Sequence, residues 1–433
     1  MTSKIVVNNI EADSGISTVT FNSKIASSEF VGSVTGNLTG TASTATAAAT
    51  AYGLSGTPTL SGITSVSTTN LTVNGNAYPN AGPLSNRNLI INGAMQVAQR
   101  GTTSTATGYA TVDRFTVARN GVSVTQSQES LSSGDPYDEG FRYFLRYTNT
   151  ATNSSAQAFV EISQYIESQN VAQSGWNYKS SSSYITTSFW VRSSLAGTYY
   201  VHYNNDDVDK FVHNKAFTLS SNTWTKVTHS IPGDSSCVFN DDNGRGLRVV
   251  IVPHYGTDYT DSSSQTDAWF TRTTSNYSPD FAQNWSNSAS ATFDITGLQL
   301  EVGTVATPFE HRSYGDELRR CQRYYQVVVE GESGYTSVGT AAYYSSSNVR
   351  CNIQFMTAMR SNPAVEIAAS GADTYLIYRN GAVDYASPPS ASFESKYSME
   401  VSFGTGVSGT AGHAGFIRTD QNSSCKIAAE AEL

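Results

Sequence analysis

Charge is what this sequence most lacks. Lys and Arg number 26 and Asp and Glu 35, together 14% of 433 residues, against roughly 25% in an ordinary soluble domain. The net charge of -9 leaves no basic excess, which excludes a nucleic-acid binder relying on a basic face for phosphates. Cysteine is also scarce: Cys237, Cys321, Cys351 and Cys425 are scattered, with no CxxC or Cys/His spacing. That pattern excludes a zinc finger or a disulfide framework and reads as isolated buried thiols. Long apolar runs are missing too. Val249-Val250-Ile251-Val252 is far shorter than the roughly 18 to 20 residues of a membrane span, so no membrane insertion is expected. The opening MTSKIVVNNIEADSG has no apolar core for a signal peptide, implying a chain made in a cytosol and kept there until release.

The charge deficit is concentrated. Phe30 to Asn86, 57 residues, contains no Lys, Arg, Asp or Glu. It is rich in Gly, Ser, Thr and Ala, with a weak repeat in Val34-Thr35-Gly36 and Leu38-Thr39-Gly40 and then single apolar residues (Leu54, Leu60, Ile63, Val66, Leu71, Val73). Composition leaves two readings open. One is a flexible linker, since such a segment cannot bury enough surface alone to offset its ordering entropy. The other is a fibrous β shaft in which several copies share one axis. Before it, residues 1–29 carry two alternating runs, Ile5–Val7 and Ile16–Phe21, around an Asp13-Ser14-Gly15 turn. This small β unit must dock elsewhere to be stable.

From Arg87 onward aromatics and turn signals dominate. Asn-Gly pairs, strong hairpin markers, stand at 92–93, 120–121, 243–244 and 380–381. Strand-like runs cover 184–191, 197–203, 223–229 and 247–252, and Leu298, Leu300 and Val302 alternate with polar residues. Many short strands argue for an all-β sandwich or jelly roll. One segment breaks that rhythm. Ser313 and Asp316 fit a capping pattern, and Leu318, Cys321 and Tyr325 recur at helical spacing, which predicts a short helix of about three turns. The resulting division is 1–29 as head, 30–86 as spacer, 87–312 as a jelly-roll domain, 313–326 as a connecting helix and 327–433 as a C-terminal β-sandwich.

Signatures of catalysis are weak. There is no G-x-S-x-G, H-E-x-x-H or P-loop. Gly404 to Gly409 satisfies GxGxxG formally, but no helix follows to present its N-terminus to a phosphate, so a turn is expected. The six histidines show no ligand spacing, although His202 and His213 could approach on adjacent strands. Acidic loops at Asp206, Asp207 and Asp209, at Asp241 and Asp242, and at Asp258, Asp261 and Asp267 offer hard oxygen ligands suited to a structural Ca²⁺. Asp206, Asp207, Asp241 and Asp242 are the candidate ligands, with solvated loop tips the simpler reading. No other cofactor is expected. Sugar binding needs aromatic faces and polar groups that fix hydroxyls. Tyr343, Tyr344, Tyr375, Tyr378, Tyr385 and Tyr397 are candidates in the last domain, and Trp176, Trp269, Tyr277 and Trp285 in the middle one. Many of these must be core residues, because buried aromatics fill sandwich interiors.

The stretch LQLEVGTVATPFEHRSYGDELRRCQRYYQ, Leu298 to Gln326, resembles a segment of bacteriophage tail-fibre and related prophage proteins. There it ends a jelly-roll domain similar to carbohydrate-binding modules. Asn88-Leu89-Ile90-Ile91-Asn92-Gly93, Gln99-Arg100-Gly101 and Asp113-Arg114-Phe115 resemble the opening of that domain. The head SKIVVNNIEADSGISTVTF is similar to N-termini of structural proteins of phages infecting cyanobacteria. VGSVTGNLTGTA resembles their shaft repeats, and Ala428-Ala429-Glu430-Ala431-Glu432-Leu433 resembles fibre endings. The resemblance implies a homotrimeric, non-enzymatic fibre of the virion tail. Residues 1–29 would anchor it to an adaptor, nozzle or baseplate protein, and the β domains would bind host surface polysaccharide or lipopolysaccharide. It favours the shaft over the linker. A structural connector or decoration protein without host binding is the alternative. A glycan depolymerase fits less well, since no long β-helix repeat runs through residues 87–433.

Overall fold

The structure, a computed structural model, describes residues 86–433 except 370 and 372, together with the backbone of two short strands ahead of them. The head at 1–29 lies outside the described residues. So does the expected shaft, apart from those two strands and Asn86. Strands β1 (Leu71–Val73) and β2 (Asn76–Tyr78) pair as an antiparallel hairpin. Then follow β3 (Thr103–Ser104), β4 (Thr116–Asn120), β5 (Ser123–Ser130), β6 (Tyr143–Ala151) and β7 (Phe159–Glu167), with short helices α1 (Asp135–Asp138) and α2 (Ser168–Ala172). Next come β8 (Tyr184–Ser193), β9 (Gly197–Asn205), β10 (Phe211–Leu219), β11 (Thr225–Pro232), β12 (Arg245–Tyr255), β13 (Trp269–Thr271) and β14 (Thr292–Val302). Helix α3 (Tyr314–Gln322) leads to β15 (Tyr325–Glu330), β16 (Ser337–Ser345), β17 (Asn348–Gln354), β18 (Ala364–Ala368) and β19 (Tyr375–Arg379). The chain ends with β20 (Ala382–Ala386), β21 (Ser390–Ser392), β22 (Ser398–Phe403), β23 (Ala414–Thr419) and β24 (Lys426–Glu430).

This is an all-β sandwich fold. In the first sandwich a sheet ordered β11-β8-β14-β6-β5-β3 faces one ordered β13-β10-β9-β12-β7-β4. Strands that follow one another in sequence often sit in different sheets, the jelly-roll-like trait. Period-2 alternation explains the layering: Tyr199, Val201 and Tyr203 of β9 and Leu247, Val249 and Ile251 of β12 all enter one core. The second sandwich packs a three-stranded sheet, β15-β24-β18, on a seven-stranded one, β20-β19-β23-β16-β17-β22-β21. Val329, Tyr375, Val401 and Ile427 fill the space between them. All four cysteines are buried and free, as isolated thiols. No helix among the described residues is long and apolar enough to cross a membrane.

Turn chemistry was only partly readable. Asn380-Gly381 closes the β19–β20 hairpin with φ of 38° and 75°, the left-handed pair that a tight hairpin requires. Asn120-Gly121 instead ends β4 and passes the chain to β5 in the opposite sheet, since β4 pairs with β7 and β5 with β6. Asn92-Gly93 and Asn243-Gly244 lie in loops, not hairpins. The GxGxxG segment is a turn from β22 to β23, where a Cβ on Gly406 would meet the Tyr385 carbonyl oxygen at 2.0 Å. Helix α3 begins as expected, with Ser313 as N-cap accepting from the Asp316 N–H at 3.2 Å. It stops at Gln322, and Tyr325 starts a strand.

Both sandwiches lie in one compact unit, Thr68–Leu433, and a buried ionic joint connects them. The Glu432 side chain, 4% exposed, pairs with Arg114 (1%) and with Arg100 (8%) at 3.3 Å. Burial works against the charge on Arg114, but Glu432 together with Tyr324, Tyr109 and Cys321 outweighs it, raising the guanidinium pKa. The two guanidinium planes lie 3.6 Å and 3.5 Å from the Tyr325 and Tyr324 ring centroids, so cation–π contact adds to the ion pairs. Arg360 donates to the carbonyls of Ala431 (2.7 Å), Glu432 (2.9 Å) and, across the joint, Asn243 (2.9 Å). Arg323 grips Glu167 with two bonds of 2.7 and 2.8 Å. Removing one partner of such a buried pair leaves an uncompensated charge, costing about 3–5 kcal/mol. Glu432→Gln is therefore expected to lower the free energy of chemical unfolding of the full chain by about 3 kcal/mol or more. A loss below about 1 kcal/mol, typical of an exposed pair, would show that the joint contributes little.

Candidate functional site

The sheet β13-β10-β9-β12-β7-β4 has a second, outward face, and its centre is unusually polar. Alternation sends His202 and Asn204 of β9, Arg248 of β12, and Glu161 and Ser163 of β7 to this side. Arg248 stands opposite Asn204 on one neighbouring strand and Tyr165 on the other. It forms an ion pair with Glu161 and donates from Nε to Ser163 Oγ at 3.1 Å. The Tyr255 hydroxyl donates to the same Glu161 carboxylate. Tyr255 reaches this face because the β12 register shifts between Ile251 and His254. That is where Pro253, unable to donate to a ladder, sits as a bulge. The bulge changes the alternation, so Tyr255 joins Val250 and Val252 in a cluster with Phe159, Tyr259, Tyr277 and Phe281.

Two excursions build the wall above this floor. The first runs on from Tyr255 through Thr260 and the second follows β13. They join through the Tyr277 N–H to Tyr259 carbonyl bond (2.9 Å), the Asp261 N–H to Ser278 carbonyl bond (3.0 Å) and the Thr260–Ser278 bridge. Asn214 ties the second arm down by donating to the Tyr277 carbonyl at 3.0 Å. The result is a cavity of about 240 Å³ lined by Phe159, Glu161, His202, Asn204, Arg248, Tyr255, Tyr259, Arg272 and Tyr277. The Arg272 guanidinium lies 3.6 Å from the Tyr277 ring centroid. Arg272 Nε and Asn204 Oδ1 are buried with no hydrogen-bond partner. Burial pushes His202 down to about 3, with Arg272 and Arg248 adding to the effect, so its ring is neutral at ordinary pH. Four aromatic rings with polar groups at the base suit a ligand with both apolar and hydroxyl faces.

Few of the sequence-derived candidates occupy this cavity; Tyr277 does. Trp176 and Trp285 are core residues, 2% and 0% exposed, and a ring sealed in the core cannot stack on a sugar. Trp269 is half-buried, stacked on Phe211 at 5.2 Å with its indole N–H donating to Pro232 O at 2.7 Å. Tyr343 and Tyr375 also point inward: Tyr343 donates to Asp384, and Tyr375 packs on Phe403. Their strand neighbours alternate outward. Tyr344, Tyr385 and Tyr397 are 68%, 55% and 65% exposed, and Tyr378 is stacked on Phe416 at 5.0 Å. Tyr344, Tyr378 and Tyr385 stand on an open sheet face, Tyr397 lies in the bend before β22, and none of them lines a cavity described above. The calcium set does not converge. Asp207 accepts from Ser168 (2.6 Å) and Asn240 (2.6 Å), Asp241 from Gln173 (2.7 Å), and Asp242 from the Gly244 N–H (2.8 Å). Asp206 is exposed beside them. No group of three or more His, Cys, Asp or Glu among the described residues could hold a metal ion. These carboxylates fasten loops.

A larger opening of about 580 Å³ beside α3 is lined by Arg312, Arg319, Arg320 and Arg323. Arg312 is paired with Glu310 and Glu317, Arg323 with Glu167, and Arg320 donates to Asn86. Its arginines are largely occupied in holding the surrounding structure.

His202 and His213 do lie on adjacent strands but on opposite faces, since His213 stands opposite Tyr203 and His202 opposite Asn214. His213 is fully buried against Tyr203 and Trp269, and neither ring nitrogen has a partner. Burial, helped by Lys215, pushes its pKa from 6.5 to about 4. Between these values the unfolded chain binds a proton that the folded chain refuses, so stability falls as pH drops through the window. The slope is about 1.4 kcal/mol per pH unit. His213→Phe removes that term. Its stability relative to the parent is expected to rise by about 1.4 kcal/mol per unit of acidification between pH 6.5 and 4. Parallel pH profiles for the two proteins would contradict a neutral, buried His213.

No protein-family model and no curated protein matches the sequence. Among solved structures, the chain is similar to the enzymatically active domain of tailspike protein 4 of bacteriophage CBA120, with 9% identity and a TM-score of 0.27 over 50% of this chain and 21% of that one. It is also similar to a cyclase from Fischerella sp. TAU, with 8% identity and a TM-score of 0.28 over 52% and 98%. A family 11 carbohydrate-binding module from Clostridium thermocellum, solved with a mixed-linked tetrasaccharide, gives 11% identity and 0.24 over 48% and 98%. The match thus spans about a fifth of the tailspike domain's length. The fold assignment rests on the sheets themselves.

Proposed function

We propose that this chain is a glycan-binding fibre of a phage tail, with the cleft on the outer face of the first sandwich as its sugar site. The observation that carries the sugar reading is the cleft itself: Phe159, Tyr255, Tyr259 and Tyr277 around buried polar atoms of Asn204 and Arg272 that lack partners. A ligand hydroxyl or carboxylate supplies the missing hydrogen bonds, and each buried polar atom left without one costs about 1–3 kcal/mol. Rings already packed against one another (Tyr259 lies 5.2 Å from Phe159 and 5.8 Å from Tyr277) lose little entropy when a sugar stacks on them.

The fibre reading rests on the sequence motifs and on the uncharged spacer at 30–86. In it the chain is a homotrimer in the virion tail, made in the host cytoplasm. Residues 1–29 dock to an adaptor, nozzle or baseplate protein, and three linked sites add avidity to weak single contacts with host polysaccharide or lipopolysaccharide. Adsorption without bond cleavage is favoured. Glycoside hydrolysis by the usual route needs two carboxylates flanking the bond, whereas the cavity lining contains one, Glu161, held by Arg248 and Tyr255.

Binding of the full chain to purified surface polysaccharides tests the site. Tyr259→Ala and Tyr277→Ala are each expected to weaken binding about 10-fold. Tyr344→Ala and Tyr385→Ala, on the open face of the second sandwich, are expected to leave it unchanged. The reverse ranking would move the site to the second sandwich. Retention of virions but not of polysaccharide would favour a connector protein.

A further inference from the structure

The cleft has an electrostatic asymmetry that a neutral sugar does not need. Its lining holds two guanidinium groups, Arg248 and Arg272, but one carboxylate, Glu161. Glu161 is committed to Arg248, and Tyr255 donates to it as well. His202, held neutral by burial, adds no charge. Arg272 makes no ion pair with any described residue, and its Nε is buried without a partner while its plane lies over Tyr277. The nearby Asp206 carboxylate feels Arg248, Arg245 and Arg272 electrostatically but forms no ion pair with any of them. A partly buried cation lacking a counter-ion is costly, and a guanidinium presents a planar fork matched to a carboxylate.

Resting on the glycan reading above, we infer that the cleft selects carboxylate-bearing saccharides, uronic or other acidic sugars, with Arg272 as the group that receives the carboxylate. Tyr277 holds the guanidinium plane in place from one side. Arg272 then offers its N–H groups to the sugar carboxylate while Asn204 Oδ1 accepts from a hydroxyl. Arg248, already neutralised, orients Glu161 and contributes less to the choice of ligand.

An array of bacterial surface polysaccharides, each printed in native and carboxyl-reduced form and probed with the full chain, tests this. Binding is expected among acidic members, with the signal falling about 10-fold or more on carboxyl reduction. Arg272→Gln should abolish the preference, and Arg272→Lys, keeping the charge without the fork, should retain part of it. The thermal midpoints of both variants should not fall below that of the parent, since neither change removes an ion pair. Equal binding to native and reduced forms, or a preference that survives in Arg272→Gln, overturns the inference while leaving a glycan site. No binding to any member by the folded protein overturns the glycan reading and this inference with it.

Discussion

The Glu432 carboxylate, closed in between Arg100 and Arg114, fastens the second sandwich to the first. It follows β24 and draws that segment back onto the loops that open the first sandwich. There Tyr109 donates to the Leu433 carbonyl at 3.2 Å. Arg360 holds the same tail from the second sandwich, and Glu167 ties β7 to Arg323 and Tyr324 at the end of α3. Two small sandwiches that could have hung on a hinge become one body. That matters for the cleft because Glu161 lies on the same strand, β7, whose last residue is Glu167.

The joint also explains which parts of the sequence could be read. Those motifs of the resemblance that fall within the described residues meet in space at this one place. Asn88 bonds with Leu298 and Leu300, Asn92 with Val97, Asp113 and Glu317, Gln99 with Asp113 and Tyr325, and Arg114 with Glu432. Buried polar networks of this kind tolerate few substitutions, because each group removed strands another. Such residues form recognisable motifs, but the motifs concern architecture. Strands β8, β9, β11 and β12 were legible as strand-like runs between turns, β14 from its alternation, and α3 from its cap and helical spacing. The aromatics were not. Tyr343 and Tyr344 differ only in strand parity, and sequence gives no register for deciding which ring faces inward. The Pro253 bulge that turns Tyr255 onto the cleft shows only once β12 is paired. One signal was present and missed: Arg248 interrupts an apolar run beside Leu247, Val249 and Val250, where a charge must have a partner or a ligand.

The scarcity of charge takes on a different meaning in this setting. Charged side chains are few, and many of those present occur in buried or half-buried sets. Asp294, 0% exposed, takes both Arg146 and Arg192 at 2.8 and 2.7 Å. Glu167 takes Arg323, and Glu161 takes Arg248. Against that background an arginine over a tyrosine ring that forms no ion pair with a described residue is an exception, and it lies in an aromatic cavity.

The central claim is that recognition occurs at the outer face of the first sandwich, away from the motif-bearing joint and from the exposed tyrosines of the second. Hydrogen–deuterium exchange of the full chain, with and without a saturating bound polysaccharide, tests it most directly. The account predicts new protection in residues 255–280 and at the adjoining ends of β7, β9 and β12, with β16, β19 and β20 unchanged. Protection confined to β16, β19, β20 and β23, with the 255–280 segment unaffected, would contradict it.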